Sequence, residues 1–409
     1  MVTVTNLVLA SVLAGLGLGS ALPPRINTTN IGHGSGRATL NQVRRPNYRF
    51  NGARQVYKTY LKYGVPAPEE LIQAVAHTDA LNLAAAKRDT GSAAATPIDP
   101  RFDIAYVTPV TIGTPPQTLQ LDLDTGSSDL WVFSSHTPAS QVRGQRIYAP
   151  DKSTTSKLLD GHTWSITYGD GSGSRGNVYT DKFTIGGVTV ESQAIETAQQ
   201  VSSSFTTEDA IDGLVGLGFS DNALVWLIDW RSVLTHSPSP AGTYDFGFID
   251  KTKYTGEITY VPVETDPGYW TFTSSGYGVG SGTFSSSPIT GIADTGTSLV
   301  YLPTAIVTAY YRQVQGATNS RSYGGYVFPC NSTLPAFVFG VGEAKFTIPP
   351  SYMNYAAVTD GSPTCFGGLQ SSSGIGVNIW GDVALKAAFV VFNGEEPPTI
   401  GWANKSLEE

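Results

Sequence analysis

The tripeptide Asp-Thr-Gly occurs twice in matched surroundings, and this duplication constrains the fold more than any other feature of the sequence. Apolar residues precede both copies and a hydroxyl side chain follows each one, within residues 121–128 and 291–298. An apolar pair and a glycine come later in both halves, at Leu214-Val215-Gly216 and Ile379-Trp380-Gly381. These glycines lie 92 and 87 residues after their aspartates. The similar offsets indicate two related lobes, each presenting one aspartate where a strand passes into a turn.

The rest of the body carries the pattern of a sheet protein. Short runs rich in Val, Ile, Thr, Tyr and Phe alternate with Gly, Pro, Asp and Ser. They predict strands, separated in one place by the turn Gly186-Gly187, at residues 106–112, 163–168, 177–185 and 188–194. With 45 Gly, 25 Pro and 14% charged residues in 409, the chain is not a coiled coil, a helical repeat or a charged disordered chain. We predict an all-β fold with few helices.

One segment has helical spacing instead. Pro303 suits a first helical turn and Gly316 can end the helix. The apolar residues that would line one face of this helix are Ile306, Val307, Tyr310, Tyr311 and Val314.

Asp124 and Asp294 are the candidate catalytic residues. An aspartate after buried strand residues lies in apolar surroundings, and Gly126 or Gly296 lets the backbone turn tightly after it. Two such carboxylates facing each other cannot both ionise easily, so one keeps a proton while the other acts as a base. Such a pair can deprotonate a water molecule and protonate the carbonyl oxygen that the water attacks. The predicted chemistry is amide hydrolysis without a covalent intermediate.

The hydroxyl residues of the two motifs can support this pair. Ser127 and Thr297 can hold the outer carboxylate oxygens, while Thr125 and Thr295 can bond across the interface between the lobes. A lone Asp-Thr-Gly is more often an ordinary turn. Asp89-Thr90-Gly91 is such a chance occurrence, because no apolar residues precede it.

The N-terminal region has the features of a leader. Residues 6–18 are almost free of polar side chains and small residues follow, which predicts a secretory signal peptide over residues 1–21; a buried helix is the alternative. Secretion favours a disulfide between Cys330 and Cys365, and glycans at the Asn-x-Ser/Thr sites Asn331 and Asn404.

Charge is divided unevenly along the chain. Residues 22–95 hold ten Lys and Arg against four acids, a charge of +6, whereas residues 96–409 carry −14. This asymmetry predicts a basic propeptide over 22–95 that docks on the acidic body; the alternative is a tail for an anionic partner such as nucleic acid. Lys87-Arg88 precedes the linker-like residues 89–100 and is a candidate processing site.

The motifs of the body identify a family. Residues 103–403 resemble the pepsin-like aspartic proteases, most closely the secreted acid proteases of filamentous fungi, of the aspergillopepsin and penicillopepsin type. The stretches that carry the resemblance are 106–113 (YVTPVTIG), 124–132 (DTGSSDLWV), 168–172 (YGDGS), 244–250 (YDFGFID) and 294–297 (DTGT), with Cys330, Cys365 and Gly381-Asp382. A carboxyl pair that shares one proton is known from these enzymes.

The resemblance implies a secreted endopeptidase, made as an acid-activated zymogen. It implies a bilobal β fold with a long cleft for an extended peptide, an N-terminal lobe over 96–270 and a C-terminal lobe over 271–409. Asp124 would be catalytic in the first lobe and Asp294 in the second.

The resemblance also implies substrate-binding roles. Tyr168 would lie with Gly169 at the tip of a hairpin that closes over the substrate, and a solvent-facing hairpin tyrosine is the alternative. Trp131 would support Tyr168, and Phe205 and Leu214 would line the pocket before the scissile bond; all three can equally be core residues.

Two charged residues have implied roles as well. Asp170, at the tip of the hairpin, could accept a substrate lysine, or it could simply stabilise the turn. Residues 54–75 resemble the inhibitory propeptide of the family, in which Lys62 matches the residue that lies against the catalytic pair. A solvated lysine is the alternative for Lys62.

One segment departs from the family pattern. Residues 219–243 are fewer than in relatives, and the missing strand would leave unpaired ladder groups in the central sheet that joins the lobes. A true deletion would favour a catalytically impaired or peptide-binding relative, whereas an error in gene prediction would leave the activity intact. A glycosidase with two carboxylates is a further alternative, but the matched motifs point elsewhere.

Partners and cofactors follow from composition. Two cysteines exclude a multi-cysteine metal site, and we expect no metal or cofactor. A formal charge of −8 argues against nucleic acid, and no 18-residue apolar run follows the N-terminus, so no membrane span is expected. We expect a secreted, extracellular monomer whose partners are protein and peptide substrates and its own propeptide.

Overall fold

The structure is a computed structural model that describes residues 38–41, 52–88, 107–167, 173–206, 211–219, 230–233, 243–246, 248–266, 268–359, 361–395 and 397–407. All of these belong to one compact unit, Ile31–Glu409. The predicted signal peptide and residues 168–172, with Tyr168, Gly169 and Asp170, lie outside the described residues.

Strands dominate the fold, which confirms the predicted all-β class. The strands are β1 Ala38–Asn41, β2 Val107–Ile112, β3 Gln117–Asp124, β4 Leu130–Phe133, β5 Lys157–Thr167, β6 Gly173–Ile185, β7 Val188–Val201, β8 Gly213–Gly216, β9 Trp230–Val233, β10 Thr243–Phe246, β11 Thr255–Pro262, β12 Thr271–Ser274, β13 Gly276–Val279, β14 Ile289–Ala293, β15 Val300–Leu302, β16 Thr318–Ser320, β17 Gly325–Pro329, β18 Phe337–Val341, β19 Ala344–Ile348, β20 Asn354–Ala357, β21 Thr364–Gly367, β22 Leu369–Ser371, β23 Ile379–Trp380, β24 Phe389–Asn393 and β25 Thr399–Asn404.

The helices of the described residues are few. They are α1 Gly52–Lys62, α2 Glu69–Arg88, α3 Ser203–Thr206, α4 Thr304–Tyr311, α5 Pro350–Met353 and α6 Asp382–Leu385, with short 3-10 turns at Ala139–Gln141, Pro150–Lys152 and Arg321–Tyr323. The helix predicted after Pro303 is α4, although it ends at Tyr311 and not at Gly316; four of the predicted apolar residues are buried within it, and the fifth, Val314, is buried just beyond its end. Within the part of the chain that the structure describes, no helix is both long and apolar enough to cross a membrane.

The two aspartate motifs end equivalent strands in two different sheets. A seven-stranded sheet of order β2-β3-β8-β4-β7-β6-β5 contains β3, in which Leu119, Leu121 and Leu123 alternate into the core. In a five-stranded sheet, β12-β14-β23-β15-β22, strand β14 ends just before Asp294. The distal apolar pairs of the sequence repeat form β8 and β23, which run parallel to β3 and β14. The repeat in the sequence therefore reflects two similarly built lobes.

A six-stranded sheet combines distant parts of the chain. Its order is β1-β10-β9-β24-β25-β11, so residues 38–41 form one edge and pair with the middle of the chain, the C-terminal strands β24 and β25 lie inside the sheet, and β11 forms the other edge. The prediction that the short segment 219–243 leaves unpaired ladder groups in this sheet is wrong. The shortened segment still supplies β9, in which Ser232 pairs with Tyr244 on one side and Val390 on the other. Four residues are enough to complete the ladder at this position.

Two helices precede the body and pack on its C-terminal half. These helices were not predicted from the sequence. Glu69 and Glu70 lie in the first turn of α2, where their negative charges interact favourably with the helix dipole. Gly64, between the two helices, has a left-handed φ of 65°. Ala53, Val56, Leu71 and Ala74 are buried in the same apolar cluster as the core of the C-terminal half.

The predicted disulfide is confirmed. Cys330 follows β17 and bonds to Cys365 in the neighbouring strand β21, with a Cα–Cα distance of 4.8 Å. The bond closes a loop with a sequence separation of 35 residues. In the chain-entropy model, a loop of this size stabilises the folded state by roughly 3–4 kcal/mol.

Candidate active site

Asp124 and Asp294 are buried and hydrogen-bonded in the same way. Only 2% of Asp124 and none of Asp294 is exposed. The amide of Gly126 donates to Oδ1 of Asp124 at 2.9 Å, and the hydroxyl of Ser127 donates to Oδ2 at 2.7 Å. In the second motif, the Gly296 amide donates to Oδ1 of Asp294 at 2.9 Å and the Thr297 hydroxyl donates to Oδ2. Each carboxyl thus has one oxygen held by an amide and the other by a hydroxyl.

Thr125 and Thr295 join the two motifs by reciprocal hydrogen bonds. The amide of Thr125 donates to Oγ1 of Thr295 at 3.2 Å, and the amide of Thr295 donates to Oγ1 of Thr125 at 2.9 Å. Each hydroxyl then donates to a backbone oxygen of the opposite strand, Thr125 to Ala293 at 3.0 Å and Thr295 to Leu123 at 2.6 Å. This buried, symmetric arrangement fixes the distance and orientation of the two carboxyls.

The glycines of the motifs allow close approach. A Cβ at Gly126 would lie 2.7 Å from Oδ1 of Asp294, and one at Gly296 would lie 2.7 Å from Cγ of Asp124. Neither glycine has a left-handed φ. Each is required because any side chain would strike the aspartate of the opposite motif, and not because of the tight turn that the sequence suggested.

Lys62, the last residue of α1, lies between the two carboxyls. Its Nζ is 2.6 Å from Oδ1 of Asp124 and 2.7 Å from Oδ1 of Asp294. The hydroxyl of the next residue, Tyr63, donates to Oδ2 of Asp294. The family resemblance implied this position for Lys62 but not for Tyr63, although the two residues are adjacent in the same stretch.

The surroundings shift the pKa values of Asp124 and Asp294 in opposite directions. Burial raises the pKa of Asp124 above its ordinary value, and the nearby Lys62 only partly offsets this effect. Burial also opposes ionisation of Asp294, but the charge of Lys62 and hydrogen bonds from Lys62, Thr297 and Tyr63 hold its pKa below the ordinary value. Although burial disfavours its charge, Lys62 has a raised pKa because it faces both carboxylates. The two carboxylates therefore favour the charged form of Lys62 while it lies between them.

An aromatic cluster flanks the pair on the first lobe. Trp131 is 1% exposed and its ring contacts those of Trp164 and Phe205, at centroid distances of 6.1 and 5.1 Å. Phe205 and Leu214 are only partly buried and pack on this cluster, so both reach its surface. The indole nitrogen of Trp131 has no hydrogen-bond partner among the described residues.

Two further acidic residues, Asp129 and Glu196, have raised pKa values, and neither was identified from the sequence. Burial, then the charge of Asp124, raises the pKa of Asp129. Glu196 pairs with Trp131 across strands β7 and β4 and is 7% exposed. Burial, then the charge of Asp129, raises its pKa well above the ordinary value. Oε2 of Glu196 has no hydrogen-bond partner among the described residues. Burial thus opposes the ionisation of Glu196.

Tyr269 was not identified from the sequence either. Its ring packs edge-on against Tyr63 at 5.8 Å, and burial raises its pKa. The predicted glycosylation sites Asn331 and Asn404 are both exposed. Within the described ranges, no group of three or more His, Cys, Asp and Glu side chains could hold a metal ion.

Comparison with known proteins agrees with this geometry. The profile of the eukaryotic aspartyl protease family matches residues 105–405. The chain belongs to the eukaryotic aspartyl protease family, and the resemblance stated from its motifs is confirmed. It is an aspartic-type hydrolase.

Fungal proteins are its relatives over most of the chain. Podosporapepsin of Podospora anserina is 62% identical and both chains are covered completely. Endothiapepsin of Cryphonectria parasitica is 58% identical over 91% of each chain, and penicillopepsin-3 of Penicillium janthinellum is 45% identical over 96% of this chain and 98% of the relative.

Proposed function

We propose that the protein is a secreted acid endopeptidase in which Asp124 and Asp294 together activate a water molecule. The observation that carries this proposal is the pair of buried carboxyls held face to face by Thr125 and Thr295. Both Oδ1 atoms lie within 2.7 Å of one atom, Nζ of Lys62. A water molecule is of similar size to an ammonium group and can occupy the same position once Lys62 has left.

The proposed reaction uses one proton on the pair. Without Lys62, two facing carboxylates in a buried site repel each other, so the pair keeps a proton and titrates as a unit. The ionised carboxyl takes a proton from the water as this attacks the peptide carbonyl, and the protonated carboxyl donates to the carbonyl oxygen. The tetrahedral intermediate then collapses when a proton reaches the leaving amine. Ser127 and Thr297 hold the outer oxygens and so keep the inner oxygens directed at the water.

The substrate pocket is proposed to lie on the aromatic cluster of the first lobe. Phe205 and Leu214 expose part of their apolar surface beside the buried ring of Trp131. A large apolar side chain before the scissile bond would fit such a surface. Tyr168 and Gly169 would cover it from the hairpin between β5 and β6, and Asp170 would add a carboxylate that a substrate lysine could reach.

We also propose that residues 22–95 are an inhibitory propeptide, residues 1–21 a signal peptide, and residues 96–270 and 271–409 the two lobes. Support comes from Lys62 and Tyr63, which occupy the place of the water and contact both aspartates. The relatives of the chain are fungal aspartic proteases, and the exposed Asn331 and Asn404 suit glycans in a secreted protein.

A fluorogenic peptide assay tests the proposed activity. The purified chain should cleave a peptide with Phe before the scissile bond after exposure to acid, and a statine-type inhibitor should abolish the cleavage. Cleavage that survives the inhibitor, or a chain that never cleaves, would refute the proposal. The second result would favour the alternative, an impaired or peptide-binding relative. One observation favours that alternative. The alignment with podosporapepsin spans 426 positions, more than the 409 residues of this chain, so some aligned positions have no residue in this chain.

A further inference from the structure

Where α1 contacts the C-terminal lobe, aromatic rings on each side pack directly against glycines on the other. The ring of Tyr60, in α1, lies over Gly374, in the turn after β22. The three nearest atoms that a Cβ at position 374 would meet all belong to Tyr60, and Cζ would be 2.6 Å away. Gly374 has no left-handed φ. The backbone of the lobe therefore does not require glycine here, and the ring of Tyr60 occupies the space that a side chain at position 374 would take.

The same device occurs in the opposite direction at the start of α1. A Cβ on Gly52 would lie 2.5 Å from ring atoms of Phe366, which is a buried residue of β21. Gly52 and Tyr60 are eight residues apart, a spacing that puts both on one face of a helix. Gly52 of the helix thus leaves space for the ring of Phe366 in the lobe, and Gly374 of the lobe leaves space for the ring of Tyr60 in the helix.

Other contacts fix the register of the helix between these points. The Thr59 hydroxyl hydrogen-bonds to the hydroxyl of Tyr301 at 3.1 Å in a buried position. Leu71 of α2 and Ala53 of α1 meet Gly324, where a Cβ would be 2.7 Å from Cδ1 of Leu71. Gly324 also has a φ of 69°, so its own backbone favours glycine and it does not discriminate as Gly374 does.

We propose that Gly374 and Phe366 are recognition residues for the chain's own propeptide, and that they select a helix with glycine at 52 and tyrosine at 60. This inference rests on the proposed propeptide role of residues 22–95. It adds a steric site to the ionic contact of Lys62 with the carboxyl pair. A propeptide with a side chain at position 52 would be excluded by Phe366.

Hydrogen exchange of the full chain at neutral pH tests the inference without requiring catalysis. Gly374→Ala should speed exchange of the α1 amides by about tenfold or more, since overpacking by one methyl is costly. Gly394→Ala is the matched control, because a Cβ at Gly394 meets nothing within 4 Å. This control should leave exchange in α1 unchanged.

A double mutant identifies the cause. Tyr60→Ala should itself speed exchange in α1, and adding Gly374→Ala should then have no further effect, because the ring that it would strike is gone. An equal acceleration by Gly374→Ala with and without Tyr60 would overturn the inference, and so would no acceleration in either chain.

Gly52→Ala provides an independent test on the other side of the contact. Alanine favours a helix more than glycine does, so local propensity predicts slower exchange in α1. The proposed steric contact predicts faster exchange, because the new methyl would strike Phe366. Slower exchange would contradict the recognition role. A chain without peptidase activity after acid treatment would refute the proposed function instead, and these exchange results would be unaffected.

Discussion

Nζ of Lys62 lies 2.6 Å from Oδ1 of Asp124, although 62 residues of chain separate them. The same nitrogen is 2.7 Å from Oδ1 of Asp294. One positive charge thus replaces the water that the proposed reaction needs, and it relieves the repulsion between the two carboxylates. Inhibition and catalysis are proposed to use the same two oxygen atoms.

Replacement of either aspartate should abolish acid proteolysis. Asp124→Asn and Asp294→Asn each leave a side chain of the same shape that can neither take nor supply the required proton. Loss of the acid or the base role costs at least about 10²–10⁴-fold in rate. The measurement is cleavage of the fluorogenic peptide at acid pH by chains from which an added protease has removed the proposed propeptide. Asp151→Asn, at an exposed aspartate outside both motifs, is the control. Appreciable turnover by either variant would refute the assignment.

Lys62→Ala should move activation to higher pH. Ionised Asp294, whose pKa is lowered in the folded state, stabilises the docked segment above the ordinary pKa of about 3.9, and this contribution is lost as pH falls through the lowered pKa. Without Lys62, that contribution is missing at every pH, so the segment should leave under milder acid.

Processing of the full chain over a pH series measures this shift. Lys58→Ala removes the same charge from α1 and keeps the contact of Lys62 with the carboxyl pair, so its activation pH should remain close to that of the native chain. A native chain that is fully active at neutral pH, or a Lys62→Ala chain that behaves like the control, would show that this contact does not govern activation.

Glu196→Gln should stabilise the protein at neutral pH but not in acid. The pKa of Glu196 is raised, so its protonated form suits the folded state; stability is full below the unfolded pKa of about 4.3 and falls as pH rises toward the raised value. Glutamine stays neutral throughout. At pH 7, the free energy of unfolding should therefore increase, because glutamine removes the pH-dependent cost of keeping a carboxyl group of raised pKa buried.

Denaturant unfolding at pH 3.5 and pH 7 measures the difference, with Asp294→Asn in all chains to prevent self-digestion. Glu191→Gln is the control on the same strand, because the Glu191 side chain is 75% exposed. An equal effect of Glu196→Gln at both pH values, or a loss of stability at pH 7, would contradict a raised pKa of the buried Glu196.

Asp170 should permit cleavage after lysine. A lysine stem can lie along the apolar surface of Phe205 and Leu214 while its ammonium reaches the carboxylate, a partly desolvated pair worth roughly 1–3 kcal/mol. Asp170→Ser should therefore reduce cleavage after Lys by about 5- to 150-fold and leave cleavage after Phe intact. Matched peptides with Lys or Phe at that position measure the ratio. An equal loss on both peptides would mean that Asp170 only shapes the hairpin.

Much of the architecture was predictable because its signals are local. The runs of β-branched and aromatic residues marked strands such as β2 and β6, and the turn between β6 and β7 followed from two adjacent glycines. The helices α1 and α2 were missed because their stability comes largely from packing on the C-terminal lobe, which no local pattern reveals. The closing of the central sheet by β9 was missed for the same reason.

The sequence by itself determined which residues do the proposed chemistry, since each catalytic Asp-Thr-Gly is recognised by the apolar residues that directly precede it. Only the tertiary structure decided the distances at which Lys62 contacts Asp124 and Asp294, which are 170 residues apart, and it alone added the contact of Tyr63 with Asp294. It also decided that Glu196 is buried, although its place in a strand is equally suited to solvent. Burial and electrostatic coupling depend on contacts between distant segments, and such contacts exist only once the chain has folded.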